Sequence, residues 1–155
     1  MNKAEFVQRV RGCERRLYRV ARTLLARDTD CEDAVQEALL KAWAKLHTLR
    51  ETAYFETWLI RILINECRNL YRKRPAAEAE LPENLPQAAS DWSPLLEALL
   101  ALPEKYRITL ELHYIEGYKT REISGMLGIP ESTVKGRLVK GRSLLKAELG
   151  EEALK

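Results

Sequence analysis

A segment without a single basic residue divides this chain into two parts. Residues 75–101 carry five acidic side chains and no lysine or arginine, whereas residues 1–74 have a net charge of +6 and residues 102–155 one of +2. The acidic segment also contains Pro75, Pro82, Pro86 and Pro94. Because proline lacks a backbone donor and neighbouring acids repel one another, we expect this connection to be extended, solvated and flexible. The predicted organisation is two small domains, 1–74 and 93–155, joined by an acidic linker at 75–92.

Apolar residues on both sides of the segment recur every three or four positions, as on one face of an α-helix. A first helix follows this pattern over 6–24. Thr29 and Glu32 then have the spacing of a capping box, which predicts that a second helix begins there. A third helix is expected over about 57–73. No window alternates as a strand does, so the fold is predicted to be all-α, with two small helical domains.

Composition excludes several classes of protein. Hydrophobic residues make up 46% and charged residues 32% of the 155 positions, which is typical of folded domains. No apolar run is long enough to enter a membrane and the N-terminus lacks the apolar block of a secretion signal, so we expect a cytoplasmic protein. Cys13, Cys31 and Cys67 are too widely spaced for a metal site or a disulfide framework. We interpret them as core-facing or partly exposed thiols and expect no metal or other cofactor.

The third predicted helix carries a basic stripe. Its apolar residues occupy one broad arc, while the opposite face holds arginine and asparagine and no acid, since Glu66 points nearer the apolar side. Arginine and asparagine combine phosphate contacts with bidentate base contacts. An ordinary solvated face mixes both signs of charge, so the stripe favours nucleic-acid binding over that alternative. It consists of Arg61, Asn65, Arg68, Asn69 and Arg72, extended by Lys73 and Arg74.

The C-terminal part has the pattern of a helix-turn-helix. A helix that ends near Gly117 precedes a short helix over 120–127, a turn at 128–130 and a longer basic helix over about 131–149. The last helix has an apolar face and, opposite to it, a polar face suited to the major groove; a plain helical hairpin is the alternative. The polar face holds Ser132, Lys135, Gly136, Val139 and Lys140, with Arg137 and Arg142 at its flanks.

Taken together, these motifs resemble the extracytoplasmic-function sigma factors, group IV of the sigma-70 family, of bacterial RNA polymerase. Residues 30–43, DCEDAVQEALLKAW, are similar to the family's region 2.1–2.2 signature D-x-E-D-x-V-Q-E. Residues 55–62, FETWLIRI, are similar to the start of regions 2.3–2.4, and residues 102–142, with GIPESTVKGRL at 128–138, to region 4. The three matches occur in order and cover nearly the whole chain except the linker.

The resemblance implies roles for individual residues. The acidic start of the second helix would dock on the clamp helices of the largest polymerase subunit, although alone it is equally typical of an exposed capping segment. Residues 46–58 would capture a flipped −10 base, although their aromatic residues are, read alone, more typical of a core. The polymerase-binding residues would be Asp30, Glu32, Asp33, Gln36 and Glu37; the −10 residues Tyr54, Phe55 and Trp58 with the basic stripe; and the −35 residues Ser132, Thr133, Lys135, Gly136, Arg137, Val139 and Lys140.

The implied function is that of an alternative sigma factor and not of an enzyme. Core polymerase would catalyse, while this chain, as a monomer, would bind the clamp helices and the flap, select promoter DNA through its −10 and −35 elements and help to melt it. The resemblance further implies an envelope or environmental stress response under an anti-sigma protein, which could hold the chain at the membrane. A net charge of only +3 predicts weak DNA binding by the isolated chain, so attachment of both domains to one polymerase would supply the effective concentration.

Three features depart from the family pattern. Ser124 stands where alanine is usual, and we expect its hydroxyl to bond back to the carbonyl four residues earlier. Gly136 stands where serine or threonine is common, and because glycine has no side chain it cannot donate a hydrogen bond to a base. Glu51 and Glu56 add acid to the −10 loop, and the selected base is left open.

Two other classes of function remain compatible with the residues alone. A stand-alone helix-turn-helix regulator would bind an operator without polymerase, but residues 1–74 contain no recognisable dimerisation seam. A small helical enzyme is disfavoured because His47 and His113 lie in different segments, and neither belongs to a carboxylate or cysteine cluster.

Overall fold

The computed structural model describes residues 1–73 and 93–150, which are helical throughout except for short connections. The α-helices are α1 (Lys3–Leu24), α2 (Asp28–Ala44), α3 (Phe55–Lys73), α4 (Ser93–Leu100), α5 (Glu104–Leu110), α6 (Thr120–Leu127) and α7 (Glu131–Leu149). Turns of 3-10 helix at Leu46–Thr48 and Thr52–Tyr54 connect α2 to α3, and a π-helical turn at Glu111–Ile115 extends α5. The described ranges contain no strand, which confirms the all-α prediction. The acidic linker and Arg74 lie outside the described residues.

Helices α1, α2 and α3 form the N-terminal bundle. The apolar arc of α3 packs against both other helices, and Leu59, Leu63 and Ile64 are completely buried there. Leu17 and Val20 of α1 are buried in the same core, as their helical spacing predicts. Full burial of one such side chain stabilises a fold by about 1.5–3 kcal/mol, so the apolar arc determines which face of α3 remains outside.

The start of α2 corrects the sequence prediction. The helix begins at Asp28 with Arg27 as its N-cap residue, so the proposed capping box of Thr29 and Glu32 is wrong. Asp28 and Asp30 lie in the first turn, where acidic side chains complement the helix dipole. Asp28 also lies 3.5 Å from Nε of Arg22, an arginine near the end of α1 that is itself buried. The helix thus begins two residues earlier than the capping box predicts, and this ion pair across the α1–α2 connection favours the earlier start.

The helix-turn-helix has the predicted bounds. Gly128, with φ of 67°, ends α6 in the left-handed conformation, and Pro130 precedes the first residue of α7. Val134, Leu138 and Gly141 of α7 are buried against the rest of the domain. The bond that we expected from Ser124 to the carbonyl four residues earlier is not formed. Its hydroxyl donates instead to the carbonyl of Ile129, at 2.5 Å. The serine therefore closes the turn of the motif.

The two domains pack against each other. Helix α3 lies along α6, and α1 contacts α5 and the π-helical turn. Buried residues of both domains, such as Leu24 of α1 and Ile123 of α6, belong to one continuous hydrophobic core. In the described structure the two domains thus form a closed arrangement. Among its helices, none has both the length and the apolar character needed to cross a lipid bilayer.

Candidate nucleic-acid and polymerase interfaces

The basic stripe lies on the outer face of α3. Arg61, Asn65, Asn69, Arg72 and Lys73 are all exposed. They lie outside because the apolar arc on the other side of the helix fills the core. The described part of the stripe therefore forms one continuous polar surface about three and a half turns long.

Two charged residues of α3 are held by neighbouring helices. Arg68 is half-buried, and its Nε lies 3.6 Å from a carboxylate oxygen of Glu104 in the other domain. Glu66 is buried away from the stripe, as predicted, and forms an ion pair with Lys41 of α2. Lys41 thereby joins α2 to α3. The stripe keeps its positive charge because its only nearby acid on α3 faces inward.

The aromatic residues before and within α3 differ in exposure. Tyr54 is 63% exposed, whereas Phe55 is only 1% exposed and packs edge-on against Phe6, with ring centroids 5.7 Å apart. Trp58 is half-buried beside Phe55. Arg9 of α1 anchors this connection by donating to the carbonyl of Thr52, at 2.7 Å. In this conformation Tyr54 offers a free stacking surface, whereas Phe55 is part of the core.

Helix α2 presents an acidic outer face. Glu32, Asp33, Gln36 and Glu37 are exposed, but Asp30 is only 6% exposed and faces inward. The same side of the helix continues into two exposed apolar residues, Leu40 and Trp43, which are 67% and 45% exposed. Sequence reasoning missed Leu40, although its position outside the buried series of α2 was a usable signal. Acidic side chains next to uncovered apolar ones are typical of a protein-binding surface.

The outer face of α7 is uncovered. Ser132, Lys135, Gly136, Val139 and Lys140 are exposed, whereas Thr133 and Arg137 are half-buried at the edges. Val139, at 72%, is the most exposed of the large hydrophobic residues in the described ranges. A Cβ atom on Gly136 would meet no heavy atom within 4 Å. This face is therefore free to enter a groove.

An ion-pair cluster, which sequence reasoning missed, joins the two domains. The carboxylate of Glu116, directly after the π-helical turn, is completely buried and accepts hydrogen bonds from Nε and Nη2 of Arg19, at 3.0 and 2.7 Å. Arg16, one helical turn earlier, lies 3.3 Å from the same carboxylate. It also donates to the hydroxyl of Tyr118, at 3.2 Å, and to Glu56 of α3, at 3.1 Å. We call Arg16, Arg19 and Glu116 the interdomain cluster.

A second carboxylate lies beside the interdomain cluster. Glu111 is 1% exposed, and neither of its oxygens has a hydrogen-bond partner among the described residues. Burial raises the pKa of Glu111 well above its usual value, and the neighbouring Glu116 raises it further. Burial would also raise the pKa of Glu116, but the hydrogen bonds from Arg19 and the positive charges of Arg19 and Arg16 lower it below its usual value. One carboxyl is thus favoured in its neutral form and the other in its charged form.

The three cysteines are buried free thiols. Burial raises the pKa of Cys13 and of Cys31 to about 11, and it raises the pKa of Cys67 still further. Protonated, inaccessible thiols are poor nucleophiles and poor metal ligands. Within residues 1–73 and 93–150, no group of cysteine, histidine and carboxylate side chains has the arrangement of a metal site.

Comparison with known proteins agrees with this division into two domains. Residues 10–76 match the family model Sigma-70 region 2, and residues 93–145 match Sigma-70, region 4. The chain is 33% identical to the ECF RNA polymerase sigma factor SigM of Mycobacterium tuberculosis, over 94% of this chain and 77% of that one. It belongs to the ECF RNA polymerase sigma factor family.

Other sigma factors are similar over most of their length. Identity is 28% to SigW of Bacillus subtilis, over 86% of this chain and 83% of the relative, and 30% to the sigma-E factor of Streptomyces coelicolor, over 94% and 86%. Among solved structures, RpoE of Bartonella quintana in complex with the anti-sigma factor NepR has a TM-score of 0.82 and 26% identity, covering 94% of this chain and 96% of that one. CnrH in complex with the cytosolic domain of CnrY has a TM-score of 0.74 and 29% identity, with 96% and 89% covered.

Membership of this family confirms the function inferred from the resemblance. The chain is an alternative sigma factor, which acts in transcription initiation with RNA polymerase and promoter DNA and is not an enzyme. The bundle α1–α3 corresponds to region 2, and the helix-turn-helix α6–α7 lies within region 4.

Proposed function

We propose that three surfaces of this sigma factor divide its work. The outer face of α2 binds the polymerase clamp helices, the basic stripe of α3 binds the −10 element, and the outer face of α7 reads the −35 element. The main support is the distribution of charge. Predominantly basic faces occur on two exposed helices in different domains, although Glu131 lies 3.7 Å from Lys135 at the start of α7. The exposed acidic face lies on a third helix. Basic faces suit DNA, and an acidic face suits a protein with basic residues.

Within the −10 surface, Tyr54 is the favoured stacking residue. It is exposed at the start of the stripe, whereas Phe55 is buried beneath it. Stacking on one aromatic ring contributes about 1–3 kcal/mol per unpaired base. Replacement of Tyr54 by alanine should therefore slow promoter opening more than promoter binding, because a base becomes available for stacking only after the duplex melts.

Transcription in vitro with sigma-free core polymerase tests the division of work. Arg61→Ala with Arg72→Ala should impair promoter opening while binding to core polymerase is retained. These two positions are preferable to Arg68, which also pairs with Glu104. Arg11→Ala with Arg15→Ala, at exposed positions of α1, removes the same charge elsewhere and should have little effect. Equal loss of core binding and opening in the first variant would show that the stripe is structural.

The −35 surface has its own test. Lys135→Ala with Lys140→Ala should reduce transcription from promoters that depend on a −35 element. Lys105→Ala with Lys146→Ala, also exposed in the same domain, is the matched control. Unchanged promoter preference would remove α7 from the reading role. Specific binding of the isolated chain to duplex DNA, with no association with polymerase, would instead favour a stand-alone regulator.

We further infer that the chain works in the cytoplasm under an anti-sigma protein. Two similar structures, those of RpoE and CnrH, are of sigma factors bound to anti-sigma factors, which supports such a partner for this chain. Stress-dependent release from that partner would follow. Cell fractionation before and after envelope stress tests the location: recovery of the chain in the periplasm under both conditions would refute it.

A further inference from the structure

The interdomain cluster holds the two domains together by ion pairs and hydrogen bonds. Region 2 supplies two arginines and region 4 one completely buried carboxylate, and the Arg19–Glu116 contact is bidentate. Fork-shaped contacts of this kind are strong and depend on geometry. Arg16 adds a hydrogen bond to Tyr118 and lies 5.3 Å from the centre of its ring. All of these contacts link one domain to the other, so all of them are lost if the domains separate.

The closed arrangement is incompatible with simultaneous reading of both promoter elements. Nη2 of Arg61, on the stripe, lies 3.9 Å from the position of a Cβ on Gly128, in the turn before α7. Helix α7 is 19 residues long and therefore extends about 28 Å. The −10 and −35 elements are about 25 base pairs apart, which corresponds to about 85 Å of DNA at one turn per 34–36 Å. The two reading surfaces must move apart by several tens of ångströms.

We propose that Arg16, Arg19 and Glu116 form an autoinhibitory latch, which keeps the free sigma factor closed and must break before the polymerase and both promoter elements are bound. This inference rests on the −10 and −35 roles proposed above. Closure also engages Arg68 of the stripe with Glu104, so part of the −10 surface is occupied in the same state.

The buried carboxyl of Glu111 makes the latch sensitive to pH. The charged and titratable groups that act on it are Arg16 and Arg19 from α1 and Glu116 from its own domain. Glu56 of α3 and Tyr118 of its own domain lie on the other side of Arg16, to which both are hydrogen-bonded. His113 contacts the carbonyl of Tyr118, at 2.8 Å, within region 4, so this contact is the same in both states. Opening would expose Glu111 to water and return its pKa to the usual range.

The direction of the pH effect follows from the two shifts. Glu111 has a raised pKa when closed, so its contribution to closure is complete below its usual pKa and is lost as pH rises through the raised value. Glu116 has a lowered pKa when closed, so its contribution is present above its usual pKa and is lost only as pH falls through the lowered value. At any pH above the lowered pKa of Glu116, the charge of that residue favours closure. A rise in pH through the raised pKa of Glu111 therefore shifts the chain toward the open form.

Small-angle X-ray scattering of the full chain measures closure without any assumption about promoter reading. The closed chain should have a radius of gyration of about 15 Å. Glu116→Gln, and separately Arg16→Ala with Arg19→Ala, should shift the closed-to-open ratio at least tenfold and increase the radius clearly. Arg11→Ala with Arg15→Ala should remain compact. An unchanged radius in both latch variants would overturn the proposal.

A second measurement tests whether the latch inhibits. Association of the latch variants with core polymerase should be several-fold faster than that of the unaltered chain. Opening without faster association would refute autoinhibition, although the −10 and −35 roles would still be tested separately by the promoter variants. Glu111→Gln mimics the neutral carboxyl and should remain compact as pH rises, whereas the unaltered chain expands. Equal pH responses of the two would remove Glu111 from the mechanism.

Discussion

Two glycines of α7 should respond in opposite ways to the same substitution. At Gly136 a Cβ atom would point into open space, with no heavy atom within 4 Å. At Gly141 it would lie 3.2 Å from Cγ and from Cδ1 of Leu110. Both glycines lie in the interior of the helix, so alanine gains the same helix propensity at each position. The difference between the two variants therefore measures packing alone.

The expected magnitudes follow from these distances. Alanine in place of glycine stabilises a helix interior by about 1 kcal/mol, and Gly136→Ala should show this whole gain. At Gly141 the added methyl group presses on Leu110, which is 1% exposed and cannot move away without disturbing the α5–α7 contact. Overpacking of this kind costs about 1–3 kcal/mol. Gly141→Ala should therefore be destabilised by up to about 2 kcal/mol relative to the unaltered chain.

Urea unfolding followed by far-ultraviolet circular dichroism measures both variants against the unaltered chain. The urea dependence of the unfolding free energy should be the same in all three chains, so that a shift in midpoint reports stability. If Gly141→Ala were as stable as Gly136→Ala, Leu110 would yield freely and the explanation by tight packing would fail. If Gly136→Ala were destabilised, the outer face of α7 would be covered, which would also contradict the role in binding DNA that we propose for it.

Three other measurements test separate parts of the structure. Leu63→Ala should reduce the free energy of unfolding by about 3 kcal/mol because it leaves a cavity in the core, whereas Leu40→Ala, at an exposed position, should change it by less than about 0.5 kcal/mol. In holoenzyme–promoter binding, Lys135→Ala with Lys140→Ala should reduce the slope of log affinity against log salt by about 1.8, and an unchanged slope would show that neither lysine contacts a phosphate. At about pH 8, Cys13 should react with Ellman's reagent at least about 100-fold more slowly in the folded chain than in urea, because its raised pKa keeps the thiol protonated. Rapid modification of the folded chain would contradict the burial of this thiol.

Local signals predicted the helix-turn-helix well. The bounds of α6 and α7 follow from Gly128 and Pro130, which act within a few residues of themselves. The start of α2 was predicted wrongly because it was taken from the spacing of Thr29 and Glu32 alone. In the structure Asp28 belongs to the first turn and lies 3.5 Å from Arg22 of the preceding helix. The bond of Ser124 was predicted in the wrong direction for a similar reason, since its acceptor, Ile129, belongs to the turn and not to the helix.

The candidate surfaces were predictable to different degrees. Periodicity alone identified the stripe of α3 and the outer face of α7, because residues that share a helical face follow from their spacing. It did not distinguish Tyr54 from Phe55, neighbours of similar chemistry of which only the second packs against Phe6. The resemblance grouped Asp30 with its exposed neighbours as a polymerase-binding residue, although that side chain faces inward. Exposure within a single turn depends on which neighbouring helix lies opposite.

The sequence by itself determined that this chain is helical, that it has two basic domains and that each presents a polar helix face, because these properties depend on residues a few positions apart. Only the tertiary structure decided that the domains close on each other through Arg19 and Glu116, which are 97 positions apart. No periodicity connects residues at such a distance, and an arginine on a helix surface has the same local pattern whether it contacts water, DNA or a buried carboxylate. Which partner it takes is decided by the packing of α1 against the π-helical turn, and this packing brings the half-buried arginine onto a completely buried carboxylate.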